Sequence, residues 1–170
     1  PSQVSQFESA SKELTDSLQN LWLEGHGGGN GSEGYNIPWY VALTRISHDA
    51  YEKRKKRGYL FTIGDEGVPP SLTPDQIKTV FGDTVERVPT NSELLEAISN
   101  EWHVFHIMIT ESLTFRSYKR EFTEQWTKLL GERALPLSDH NNLAELIVST
   151  IQICEGAAIE EVVNSWSGST

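Results

Sequence analysis

The sequence predicts an α/β fold: a parallel sheet of the doubly wound type, three layers deep, with helices on both faces. Three observations predict it. Two continuous apolar runs, residues 59–63 and 103–109, are short enough for strands and too uniformly apolar for a sheet with one wet face. A third short run follows at residues 134–137, and segments of helical periodicity separate all three. Strands alternating with helices of ten residues or more require crossover connections, and so a parallel sheet. Composition agrees with one soluble domain over residues 1–170, without repeats or linkers: 37% of side chains are hydrophobic, and there are five Trp, five Tyr and six Phe. With 24 acidic against 14 basic residues the net charge is −10. That balance argues against nucleic acid and anionic membranes as partners, and favours cations or basic proteins.

Residues 7–24 place Phe7, Ala10, Leu14, Leu18, Leu21 and Trp22 at the spacing of a helix with one buried face. Six of the 13 glycines then fall between residues 25 and 34 and end it. A second helix starts near Asn36, a suitable N-cap, with Pro38 in its first turn. It runs through Trp39, Tyr40, Leu43, Ile46 and Ala50 to the basic cluster Lys53–Arg57 and Gly58, where cations favour the helix C-terminus and glycine ends it. The first strand, 59–63, is expected to be buried on both faces. A Pro-rich loop leads to helices near 74–81 and 91–101, the latter opened by the capping-box pattern Thr90 to Glu93. After the second strand come a helix over 117–130, the third strand, and helices near 140–154 and 157–166. The lone Cys154, in an apolar run, reads as a buried, inert thiol. No stretch reaches the roughly 20 apolar residues of a membrane span, and the first residues do not resemble a signal peptide, so the expected location is cytoplasmic.

Ligands of open α/β sheets bind beyond the carboxyl ends of the strands. Asp65 and Glu66 stand at that place after the first strand, as general acid/base groups, as metal ligands or as a plain turn. The glycine cluster lacks the strand-to-helix setting of a dinucleotide fingerprint and the Lys of a phosphate-binding loop. It does carry the oxygen donors Asn30, Ser32 and Glu33, which suit Mg²⁺ or Ca²⁺ better than zinc. His103 and His106, three apart on a strand, point to opposite faces and cannot share one metal. His26 reads as a solvated loop residue, His48 as helix surface and His140 as part of a capping region. Asn30 to Ser32 formally matches a glycosylation acceptor, which matters only in a secreted protein.

The succession GGGNGSEG, amphipathic helix, GYLFTIGDE, EWHVFHIMIT and WTKLLGERALPL resembles the later half of a von Willebrand factor type A domain. In that family a metal-ion-dependent adhesion site combines a DxSxS motif after the first strand, an oxygen ligand from a second loop and an Asp after the fourth strand. The resemblance implies Asp65 as the third element and Glu33, then Ser32, as the second, with Asn30 beside them as a further oxygen donor of the loop. No DxSxS occurs in these residues, and the usual Thr of the second loop is absent. With the family's strand order of 3-2-1-4-5-6, this chain would supply strands 4 to 6, leaving residues 59–63 as an open edge. The resemblance therefore implies the C-terminal portion of a longer protein, or a half completed by another chain through pairing or self-association.

The function so implied is a non-enzymatic, divalent-cation-dependent protein-binding or adaptor module. Its cofactor would be Mg²⁺, with Ca²⁺ or Mn²⁺ as alternatives, held once the DxSxS loop is supplied. The partner would be a protein bearing a carboxylate ligand, with AAA+ ATPases among the candidates. A metal-dependent hydrolase using Asp65 and Glu66 competes, and requires further carboxylates or histidines at that strand end. A third reading is a metal-free remnant acting as a structural or interaction protein.

Overall fold

The computed structural model describes Ser5, residues 7–22 and residues 33–167. These fall into two compact units, one drawn from residues 1–31 and 73–88, the other from 32–72 and 89–170.

The first unit contributes helix α1 (Ser11–Gln19) and helix α4 (Pro74–Phe81). α1 is shorter than the apolar spacing suggests. Ala10 at its N-cap offers no side-chain acceptor, and none of its residues is buried: Leu14 and Leu18 are exposed. α4 opens with a reciprocal capping box between Thr73 and Gln76 and closes on Gly82 in the left-handed conformation.

The second unit is a three-stranded parallel sheet, β1 (Gly58–Gly64), β2 (Trp102–Ile109) and β3 (Ala134–Leu137), in the order β1-β2-β3. Six helices accompany it: α2 (Asn36–Thr44), α3 (Asp49–Arg54), α5 (Asn91–Ile98), α6 (Leu113–Leu130), α7 (Leu143–Cys154) and α8 (Ile159–Ser167). The chain is α/β with a parallel sheet, as the apolar runs predict. β1 pairs with Trp102–Met108 along its full length, and no other strand among the described residues lies on its outer side.

Strand alternation sorts the sheet. Leu60, Val104 and Met108 point into a core built with Trp39 and Ala42 of α2, Leu95 and Ile98 of α5, and Phe115, Phe122, Trp126 and Leu130 of α6. The opposite face carries stacked pairs, Tyr59 with His103 and Phe61 with Phe105. From that face the Tyr59 hydroxyl donates to Glu155 at the end of α7, at 2.8 Å. The carboxylate beside it pushes the Tyr59 phenol up to about 12, after burial as the larger cause.

Several expectations are corrected. The single helix expected from Asn36 to Gly58 is two, broken at residues 45–48. His48 adopts extended backbone, its Nδ1 caps α3 by accepting from the Tyr51 amide, and its ring lies 4.4 Å from that of Trp102. It is half-buried rather than on a helix surface, and its Nε2 is buried. Lys55 takes the left-handed C-cap, while Gly58 opens β1. Asn36 does not cap α2. Its buried amide donates to the Pro70 carbonyl and to Asn91 Oδ1, at 2.8 and 2.9 Å, tying α2 to the loop after β1 and to the first residue of α5. β1 is half-buried, with Thr62 buried and Ile63 exposed, because an edge strand is covered from one side. Cys154 is exposed: α7, rich in Leu, Ile and Val, buries none of its residues. α6 starts at Leu113, four residues early, because Ser112 caps it by accepting from the Phe115 amide at 2.9 Å.

Candidate functional site

Parallel pairing brings the carboxyl ends of β1, β2 and β3 to one edge of the sheet, and each end is followed by acidic residues: Asp65 and Glu66, then Glu111, then Asp139. The surroundings divide them into two groups.

Beyond β1, the chain turns through Gly64, Asp65, Glu66 and Gly67 under the aromatic side chains of α2 and α6. Tyr35 lies so close over Gly64 that any Cβ there would collide with its ring and hydroxyl. A Cβ on Gly67 would meet Gln125 and approach Phe122 to 2.8 Å. The GDEG sequence is therefore read by close approach as much as by turn propensity. Trp126 Nε1 donates to the Glu66 carbonyl at 2.9 Å, and the Val68 amide donates to Gln125 Oε1 at 3.0 Å. Beneath the loop, fully buried His106 stacks on Trp126 with ring centroids 3.6 Å apart and planes within 9°. Its Nδ1 is 2.9 Å from Thr62 Oγ1, while its Nε2 is buried without a hydrogen-bond partner. Burial pushes the imidazole down to about 3, so it stands neutral at ordinary pH.

Glu33, at the end of the glycine loop, joins Asp65 and Glu66 electrostatically. The Glu66 carboxyl is raised, chiefly by burial, then by the charges of Glu33 and Asp65. One of its oxygens, Oε2, is buried and has no hydrogen-bond partner. The Tyr35 phenol, next to the same three carboxylates, is pushed far up, mainly by burial; hydrogen bonding from the Glu66 backbone works the other way. Glu33 and Asp65 act on Glu66 through their charge, but the three are not among the described groups whose ligand atoms lie within 4.8 Å of one another, and Asn30 and Ser32 lie outside the described residues.

Beyond β2 and β3, Glu111, Asp139 and His140 form the one group among the described residues in which three potential metal-ligand atoms lie within 4.8 Å of one another. Both carboxylates already have hydrogen-bond partners. Glu111 Oε1 accepts from the His140 amide at 2.8 Å and lies 2.7 Å from His140 Nδ1, which holds the Glu111 carboxyl below its ordinary value. Asp139 accepts from the Asn141 amide and side chain and is lowered likewise. His140 is 71% exposed.

Family models, curated proteins and solved structures give no match to the chain. The site must be judged on its own atoms.

Sequence reasoning singled out Glu33, Asp65 and Glu66 as candidates and did not single out Glu111, Gln125 or Trp126. The rule that pointed to Asp65, an acidic residue just past a strand, applies equally to Glu111 and Asp139. His106, Gln125 and Trp126 carry no local signal, because each meets the loop from a distant element. Among the described residues no helix is long and apolar enough to cross a membrane.

Proposed function

We infer that this chain is the later half of a von Willebrand factor type A domain and works as a divalent-cation-dependent protein-binding module, with the cation at the carboxyl end of β1. The observation that carries this reading is the Glu66 carboxylate oxygen, buried without a partner beside Glu33 and Asp65. A carboxylate whose proton affinity is raised by burial and by two neighbouring negative charges is stabilised by a divalent cation, and an all-oxygen set fits Mg²⁺, with Ca²⁺ and Mn²⁺ as alternatives. Glu33, Asp65 and Glu66 would hold it, joined by Ser32 and Asn30 of the glycine loop and by a DxSxS strand laid along the open side of β1. The position of β1 at the sheet edge supports that last part. When bound, the cation supplies a coordination position for a carboxylate of the partner, an AAA+ ATPase adaptor complex being one cytoplasmic setting for such a module. The chain's own part is to hold the loop still. Gly64 and Gly67 let Tyr35 and α6 close over it, and the aromatic cover keeps the Glu66 side chain partly out of water.

Calorimetric titration of Mg²⁺ into the full-length protein, wild type against Asp65→Ala, tests this. Binding by wild type and its loss in the variant are expected; equal binding by both defeats the reading, and no binding by either leaves the metal-free remnant. A hydrolase acting through Asp65 and Glu66 is favoured by one observation, the carboxylates and histidine at the neighbouring strand ends. That reading requires Mn²⁺-dependent turnover of p-nitrophenyl phosphate that disappears in Asp65→Ala; the binding-module reading expects none.

A further inference from the structure

We propose that the open edge of β1 pairs antiparallel with the same strand of a second copy of this chain, about a two-fold axis at Phe61, joining two three-stranded sheets into one. This goes beyond the cation reading and does not depend on it. A DxSxS strand and a second copy would compete for one edge, and the test below separates them.

The two edges of the sheet are not alike. β3 is four residues long and carries Pro136, which has no N–H to give, so that edge is guarded. β1 runs for seven residues, Gly58 to Gly64, with no charged side chain, no proline and an unbroken register on β2. Among the described residues no backbone hydrogen bond reaches its outer side. A strand of that kind is a template for another strand.

The charges that flank β1 choose the occupant and its direction. Lys55, Lys56 and Arg57 precede the strand, and Asp65 and Glu66 follow it. In an antiparallel pair centred on Phe61, Arg57 stands level with the partner's Asp65, and Lys56 with the partner's Glu66, at both ends of the interface. A parallel pair would set each charge beside its like. The strand with its flanks is therefore complementary to itself in the antiparallel sense alone, which is the symmetry of a closed two-fold interface. Within the chain these cations are only loosely engaged: Lys56 Nζ lies 3.3 Å from a Glu155 oxygen and Arg57 Nη1 lies 3.3 Å from the Ser99 carbonyl, both at exposed positions.

The same register matches the two faces. Tyr59, Phe61 and Ile63 share one face of β1, and each would meet a residue of the same face, Ile63 the partner's Tyr59 and Phe61 the partner's Phe61. Phe61 already stacks on Phe105, and Tyr59 on His103, so the aromatic rows would continue across the axis. Ile63, 42% exposed on an otherwise covered strand, would gain an aromatic neighbour.

Sedimentation equilibrium of the full-length protein in EDTA tests this, comparing wild type with Ile63→Lys, Arg57→Asp, Asp65→Arg and the double variant R57D/D65R, each checked for folding by circular dichroism. Wild type is expected to be a dimer at micromolar concentration, and Ile63→Lys, which places a charge on the edge, a monomer. Each single swap opposes like charges at both ends and should weaken association roughly 10-fold. The double variant re-forms opposite pairs and should dimerise like wild type, as should an equimolar mixture of the two single-swap proteins. A monomeric wild type overturns the inference and leaves the cation reading standing. A dimer that persists unchanged in Ile63→Lys and in both single swaps, or swaps that the double variant does not rescue, overturns the antiparallel edge as its interface.

Discussion

The sheet presents acidic residues at two neighbouring places, beyond β1 and beyond β2 and β3, and the chemistry on offer is nearly the same at both. Their surroundings are not. Glu111 and Asp139 are exposed enough to be hydrated, and each has found a hydrogen-bond donor within its own loops, which lowers its proton affinity. Glu66 is partly buried, feels the charges of Glu33 and Asp65, and keeps a buried oxygen that no group among the described residues meets. A count of ligand types within reach favours the first group, since only it brings three donor atoms together. Electrostatics favours the second. An acidic cluster that satisfies itself gains little from a cation, whereas one that is frustrated in the folded chain gains much.

Four measurements would break or sharpen that contrast. The largest effect is expected at the pillar of the β1 site. Trp126→Ala removes a fully buried ring and the donor to Glu66, and should cost about 4 kcal/mol in urea unfolding. Next comes acid. His106 is held near 3 when folded against 6.5 when unfolded, so the unfolded chain takes up the proton first as pH falls. The stability linked to this residue is intact above pH 6.5 and drains away between there and about 3, at roughly 1.4 kcal/mol per pH unit. Unfolding curves at pH 6.5 and 4.5 should therefore differ by about 2–3 kcal/mol from this source, and His106→Leu should flatten the slope. A smaller effect of opposite sign is expected for Glu66→Gln: without cation it relieves like-charge crowding and should stabilise the chain by less than about 1 kcal/mol after allowance for solvent screening. Smallest of all, Glu111→Gln should leave the unfolding midpoint close to that of wild type, as exposed pairs do. A loss at Glu111 as large as that at Trp126 would reverse the contrast.

The strands were legible because short, largely apolar runs have few other places to go, and Thr90 with Glu93 announces the start of α5 by a local bond. The misses share a cause. The break at residues 45–48 depends on His48 meeting Trp102, and the uncapped start of α2 on Asn36 meeting Asn91, 55 residues away. Cys154 looked buried because its neighbours are apolar, yet periodicity shows which residues could be covered and not whether a cover exists. In the site, Glu33 and Asp65 were within reach of the strand-end rule and the family resemblance. Gln125 and Trp126, 57 and 60 residues from their loop partners, were not. What the sequence concealed is the difference between the two acidic places, since that lies in which donors each carboxylate meets rather than in residue type.

The most direct test places a paramagnetic cation in competition between them. Substoichiometric Mn²⁺ added to the ¹⁵N-labelled full-length protein should broaden the amide signals of Gly64 to Val68 first, sparing Glu111 and Asp139 to Asn141, and excess Mg²⁺ should restore them. Broadening confined to Glu111 and Asp139 to Asn141, with Gly64 to Val68 unaffected, would contradict the account.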